Sequence, residues 1–258
     1  MNPLTDQCSL SPVYFHRSLP MVKATWEFDF YRCLEFKSKY YGKTISTLHA
    51  GNLRASKDGR YAHLFPGEKV SYWASDRTTA TAEVRKYGAG LNLITFQAYD
   101  DASSAFPTTD CVEPLIVVDG RELGFANILD KLDNGDDISA NDRKLIDKIQ
   151  NEQPDCLMYE SHVVDGTYNF LFFEKGFSKL SLREVLLRLE HKDPLTQKRK
   201  VNRARICCAM SSDFAPHPEA YGEGFLEIAR TFMDKSYLES DEYLRRSQLR
   251  WHQPYVIR

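Results

Sequence analysis

The sequence predicts an α+β protein, a sheet with helices packed on it, and three observations carry that expectation. Two short runs, LNLITF at residues 91–96 and PLIVV at 114–118, are rich in branched and aromatic side chains suited to a pleated surface. Beside them stand segments with helix start and stop signals. Residues 76–87 open on Asp76 and close before Gly88, and SAND at 139–142 resembles a capping box ahead of Leu145, Ile146 and Ile149. A chain of 258 residues, 42% of them hydrophobic and 27% charged, also has enough apolar mass to build a core under such elements.

Taken in order, residues 1–44 read as an N-terminal extension. Within it Trp26, Phe30, Cys33, Leu34, Lys37 and Tyr41 recur at helical spacing, which predicts an amphipathic helix. Residues 44–72 scatter Gly51, Gly59 and Gly67 among short apolar pieces, the pattern of strands and loops around a cleft. The helix at 76–87 puts Glu83 on its second turn. After the strands at 91–96 and 114–118 and the helix that follows Ser139, two more strands are expected at 155–160 and 168–174. The polar turn 162–167 joins them, so Ser161 begins a loop at a strand end. Residues 181–189 satisfy two periods: Leu182, Val185, Leu186 and Leu189 fit a helix, and their apolar density fits a strand. Residues 45–190 form the body that holds the chemistry. Residues 191–258 add a basic segment and two expected helices, at 224–235 and 240–250.

Charge and cysteine usage exclude several function classes. A net charge of -2 provides no global attraction to nucleic acid or acidic lipid. The local exception is KRKVNRAR at 198–205, which suits nucleic acid, an acidic partner or nucleotide phosphates. It lacks interleaved aromatic residues for stacking, which favours a solvated connecting loop. No apolar run approaches the roughly 18 residues that span a bilayer. The N-terminus has no basic start followed by an apolar block and a small-residue cleavage site, so the expected location is the cytoplasm. Six cysteines (Cys8, Cys33, Cys111, Cys156, Cys207 and Cys208) include no C-x-x-C pair, which argues against a zinc ribbon and a disulfide framework and predicts reduced thiols and no metal. Cys207 and Cys208, in the apolar run ICCAM, read as buried strand residues. The glycine-rich dinucleotide fingerprint, the Walker loop, H-E-x-x-H and the G-x-S-x-G elbow are all missing.

The best organised constellation is Arg60, Tyr72 and Glu83, with Ser161 much later. Arg60 supplies a planar fork of donors suited to phosphate, Tyr72 an aromatic face with a polar tip, and Glu83 a carboxylate able to stabilise a developing cation. Together they suit a dinucleotide substrate. At these residues the chain resembles the RES domain family, named for its Arg, Glu and Ser. The matching pieces are GRY at 59–61, VSYWAS at 70–75, ATAEV at 80–84, and LMYES at 157–161 followed by GTYNFLFF at 166–173. The likeness spans roughly residues 45–190.

That resemblance implies an ADP-ribosyltransferase-like fold, two small β-sheets around an NAD cleft with flanking helices, and a toxin-type enzyme that consumes NAD as substrate without a further cofactor. On this reading Glu83 holds the ribose 2′-hydroxyl and stabilises the oxocarbenium-like transition state. Tyr72 stacks on nicotinamide, Arg60 binds pyrophosphate, and Ser161 bonds the nicotinamide end or the ribose. His49 and Arg54 are further candidates for contact with the nucleotide, since related folds place a His or Arg on an early strand. The expected reaction is release of nicotinamide to water or phosphate. The alternatives are transfer of ADP-ribose to a macromolecule and a catalytically silent nucleotide-binding module. The resemblance also implies an antitoxin partner carrying an Xre-type helix-turn-helix domain.

Overall fold

The computed structural model describes residues 3–4, 14–16, 19–24, 28–37, 60–90, 92–100, 113–192 and 195–207. His49, Arg54, Cys208 and the two helices expected beyond residue 223 lie outside them. The described chain is a mixed α+β fold. Its strands are β1 (Tyr14–His16), β2 (Leu19–Lys23), β3 (Asp29–Glu35), β4 (Val70–Ala74), β5 (Leu93–Asp100), β6 (Ile116–Asp119), β7 (Cys156–Glu160), β8 (Tyr168–Phe173), β9 (Leu180–Lys192) and β10 (Arg199–Cys207). Its helices are α1 (Arg60–Leu64), α2 (Arg77–Lys86), α3 (Phe125–Asp133), α4 (Ala140–Glu152) and α5 (Glu174–Phe177).

The expectation of two small sheets is corrected: the described strands form one sheet, in the order β1-β2-β6-β7-β8-β4-β3-β5-β9-β10. Its neighbours are antiparallel except for the parallel pair β6 and β7. The sheet is nonetheless pinched at its middle. β3 follows β5 along its whole length, from Asp29 opposite Tyr99 to Glu35 opposite Leu93, and β4 follows β8 from Val70 to Ala74. Between β3 and β4 the ladder holds only at Tyr31 opposite Ala74. Each strand is pulled away by its better partner, and one residue pair keeps the two halves continuous.

The helix expected in residues 26–41 is also corrected. β3 occupies residues 29–35 of that stretch because a stronger period of two underlies the weaker helical one. Phe28, Phe30, Leu34 and Phe36 all pack on the same core cluster, and Phe30 meets Phe170 and Phe172 edge-on with ring centres 5.0 Å apart. β1, β2 and β3 therefore share the sheet with strands of residues 45–190, and position 190 falls inside β9.

Residues 181–189 resolve as strand. The solvated loop expected at 198–205 is instead an edge strand, β10, laddered to β9. Its register sets Ala204 opposite Leu187 and Ile206 opposite Val185, two fully buried residues of β9. Cys207 ends that strand.

Caps behave as their chemistry dictates. Asp76 accepts from the Thr79 backbone N–H at 2.8 Å and so starts α2, while Gly88, at φ +78°, turns the chain after its end. Ser139 and Asp142 close the reciprocal box that starts α4, whose Ile146 and Ile149 are fully buried. α3 and α4 cover one face over Val118, Leu157, Leu171 and Phe173, and α2 covers the junction of β3, β4 and β5 through Ala80 against Cys33, Ala74 and Leu93. No helix among the described residues is long and apolar enough to cross a membrane.

Candidate active site

The pinch in the sheet creates the cavity. Beyond the Tyr31–Ala74 pair, a continued ladder would set Cys33 opposite Tyr72, but the strands have parted, and both residues line a cavity of about 400 Å³. Arg32, Cys33 and Leu34 reach it from both faces of β3, because no strand seals that edge. α1 contributes Arg60 and Tyr61, α2 contributes Glu83, Val84 and Tyr87, and α3 contributes Asp133. Three side chains that the sequence singled out, Arg60, Tyr72 and Glu83, thus share one cavity of a size typical for small-molecule sites, roughly 300–1,000 Å³.

Glu83 sits deepest. It is 4% exposed, and Oε1 accepts two hydrogen bonds, from Ser161 Oγ at 3.0 Å and from Asn169 Nδ2 at 2.7 Å. No cation lies within ion-pairing distance of it among the described residues. A buried carboxylate normally pairs with a cation, because two neutral donors replace only part of its hydration. Ser161 is held just as firmly. Its hydroxyl oxygen accepts from the backbone N–H groups of Val163 at 3.2 Å and Val164 at 3.4 Å, which leaves its proton for Glu83. Ser161 stands behind Glu83 and does not line the cavity.

Arg60 is organised differently. Nη1 donates to Asp133 Oδ2 at 2.9 Å and Nη2 to the Tyr61 hydroxyl at 3.2 Å, with the guanidinium carbon 5.0 Å from the centre of the Tyr61 ring. Burial opposes its charge, but the oxygens of Tyr61, Tyr159, Tyr87 and Asp133 outweigh that and raise its pKa, so the group is a permanent cation. Lys86 Nζ lies 3.6 Å from the same Asp133 oxygen. Arg60 and Asp133 also form the shared wall of a second, more polar cavity of about 800 Å³, lined further by His63, Asp136, Asp137 and Arg143.

Three more tyrosines complete the cavity's surroundings. The Tyr61 hydroxyl is hydrogen-bonded to that of buried Tyr159. Burial pushes the Tyr61 phenol up to about 12, against the opposing pull of Arg60, and pushes Tyr159 well above its ordinary value. Tyr87 lies on the rim, 62% exposed. The Tyr72 hydroxyl is buried against the Glu83 carboxylate without a well-aligned hydrogen bond, and burial, with Tyr61 and Glu83 nearby, pushes its phenol well above the usual range. These phenols remain neutral at physiological pH. Cys33 is no nucleophile either, because burial raises its thiol. No group of three or more metal-ligating side chains occurs among the described residues.

Sequence reasoning missed Tyr87, Tyr159, Asp133 and Asn169 as parts of this site. Asn169 had a legible signal: it is the one amide in the strand YNFLFF, where a buried polar group calls for a partner. Asp133 had none, since its role depends on α3 meeting α1.

No family model matches the chain, and no curated protein matches it. Among solved structures, the chain is similar to one in the crystal structure of the M. tuberculosis MbcT-MbcA toxin–antitoxin complex, at 11% identity and a TM-score of 0.34, covering 76% of this chain and 91% of that chain. A likeness of that size carries no functional argument, and the reading rests on the residues themselves.

Proposed function

We propose that this chain is a toxin-type enzyme of the RES kind that cleaves the nicotinamide–ribose bond of NAD. The observation that carries the reading is the buried Glu83 carboxylate, held by neutral donors and without a counter-ion among the described residues, on the wall of a cavity rich in aromatic side chains. As the C–N bond breaks, its electron pair leaves with nicotinamide, which departs neutral, and positive charge develops on the ribose. An uncompensated carboxylate stabilises that charge more in the transition state than in the ground state. Water or phosphate then adds to the oxocarbenium carbon and, for water, a proton is released. Tyr72 and Tyr61 provide the aromatic surface for the nicotinamide ring, and Arg60 the cation for pyrophosphate, exchanging Asp133 for the substrate.

The deciding experiment is incubation of the purified protein with NAD and separation of the products. Equimolar nicotinamide and ADP-ribose, or ADP-ribose 1″-phosphate in phosphate buffer, supports the reading. Labelled ADP-ribose on a macromolecule makes the protein a transferase, and binding without turnover makes it a silent nucleotide-binding module. Expression in a bacterial host should arrest growth with an early fall in NAD, relieved by Glu83→Ala at equal abundance. An Xre-type antitoxin is the proposed partner, and its co-expression should restore growth.

A further inference from the structure

We infer that Asn169 is a positioning residue for Glu83, acting with Ser161 as a two-donor clamp that fixes one carboxylate oxygen and leaves the other for the substrate. The inference rests on the reading of Glu83 as the charge-stabilising group. β8 carries Asn169 between β7 and β4, opposite Tyr159 on one side and Ala74 on the other, one strand in from the pinch of the sheet. Its remaining residues are Tyr168, Phe170, Leu171, Phe172 and Phe173, and Asn169 itself is 2% exposed. An amide buried for structural purposes is expected to satisfy both of its ends. Here only Nδ2 is engaged, with Glu83 Oε1 at 2.7 Å, and Oδ1 is buried without a partner. Reversing the amide would turn its oxygen toward the carboxylate, so the donor orientation is the one that Glu83 enforces.

The two donors converge on the same oxygen from different places: Asn169 from within a strand, and Ser161 from the loop after β7, its own oxygen pinned by Val163 and Val164. Neither lines the cavity, whereas Glu83 does. Two donors on Oε1 fix the rotation of the carboxylate, and Oε2 is the oxygen they leave unengaged. Asn169 therefore acts through Glu83 and never touches the substrate.

The test uses the full chain with its glutamate side-chain carboxyls ¹³C-labelled, the Glu83 resonance being assigned by its loss in Glu83→Gln. A hydrogen-bond donor polarises the carboxylate it bonds, so in Asn169→Leu the Glu83 carboxyl resonance should move from its wild-type position at neutral pH while the other glutamate resonances stay in place. Asn169→Asp, of the same shape but without the amide donor, should move it too and serves if the leucine variant does not fold. The other titratable and charged groups around the site (Arg60, Tyr61, Tyr72, Tyr87, Cys33, Arg32 and Asp133) are common to all variants. With NAD, Asn169→Leu should lower kcat by roughly 100-fold with KM nearly unchanged, the scale of a small misplacement of a reacting group. In a Glu83→Gln background the same substitution should have almost no further effect on kcat. An unmoved Glu83 carboxyl resonance in folded variants overturns the clamp, and so does an undiminished further loss of kcat in the Glu83→Gln background. If the wild type fails to cleave NAD, the proposed function falls, and the carboxyl resonance still decides the clamp.

Discussion

Glu83 and Arg60 stand on walls of the same cavity with opposite electrostatic histories. Glu83 is an anion held by neutral donors, buried, and without a counter-charge among the described residues. Arg60 is a cation already answered by Asp133, and its second amine is taken by Tyr61. The difference teaches where each charge can act. An uncompensated buried charge exerts its full field on whatever cation forms beside it, whereas a compensated one must exchange partners before it binds anything. On the proposed reading, Glu83 thus suits the transition state and Arg60 the ground state.

The sharpest way to break that contrast is Glu83→Gln, which keeps shape and hydrogen bonding and removes the charge. Turnover of NAD should fall at least about 100-fold while NAD affinity changes little. A folded Glu83→Gln protein that turns over normally would falsify the assignment.

Arg60→Lys should show the complementary pattern. The charge persists but the fork is lost, and Kd for NAD should rise by about tenfold with a smaller change in kcat. Isothermal titration with the Glu83→Gln protein as background reads this without turnover. An unchanged Kd would move the phosphate role to another cation.

Tyr72→Phe probes the space between the two. It deletes a buried hydroxyl that makes no well-aligned hydrogen bond and lies against Glu83, so the fold should gain at most about 1 kcal/mol, read as a rise in Tm. The sign with pH follows from linkage. The folded phenol titrates above its ordinary value of 10, so its protonated form supports the fold below pH 10, and that support is lost as pH climbs toward the folded value. Phenylalanine cannot ionise, and the advantage of the variant should widen above pH 10. A gap that narrows there would contradict the burial assigned to this hydroxyl.

The smallest effect belongs to an exposed ion pair outside the cavity lining. Lys69 and Glu174 are 2.6 Å apart, but both are exposed, and Lys69→Ala should cost less than about 0.5 kcal/mol and leave NAD turnover untouched. A larger loss of turnover would show that residues outside the cavity lining also act on the reaction.

Much of the architecture around Glu83 was legible beforehand because it depends on neighbours in sequence. Asp76 and Gly88 mark α2 by capping and by a left-handed turn, the box at Ser139 marks α4, and the apolar runs mark β5 to β8. The misread elements fail for one shared reason. Residues 26–41 carry two competing apolar periods, and residues 198–205 carry charges that conceal alternation; in both, the neighbouring strand chooses the conformation. β3 is a strand because β5 pairs with it along its whole length.

By itself the sequence determined the local elements and the mixed fold class, since caps, periods and side-chain chemistry act over a few residues; the grouping of Arg60, Tyr72, Glu83 and Ser161 as candidates rests on the resemblance to the RES family. Only the tertiary structure decided that β3 and β4 part after a single pair and so open the cavity, that Asp133 answers Arg60, and that Asn169 reaches Glu83. Those three facts join residues 43, 73 and 86 positions apart. No local preference encodes such contacts, because they form only when the packed core brings distant strands and helices to one place.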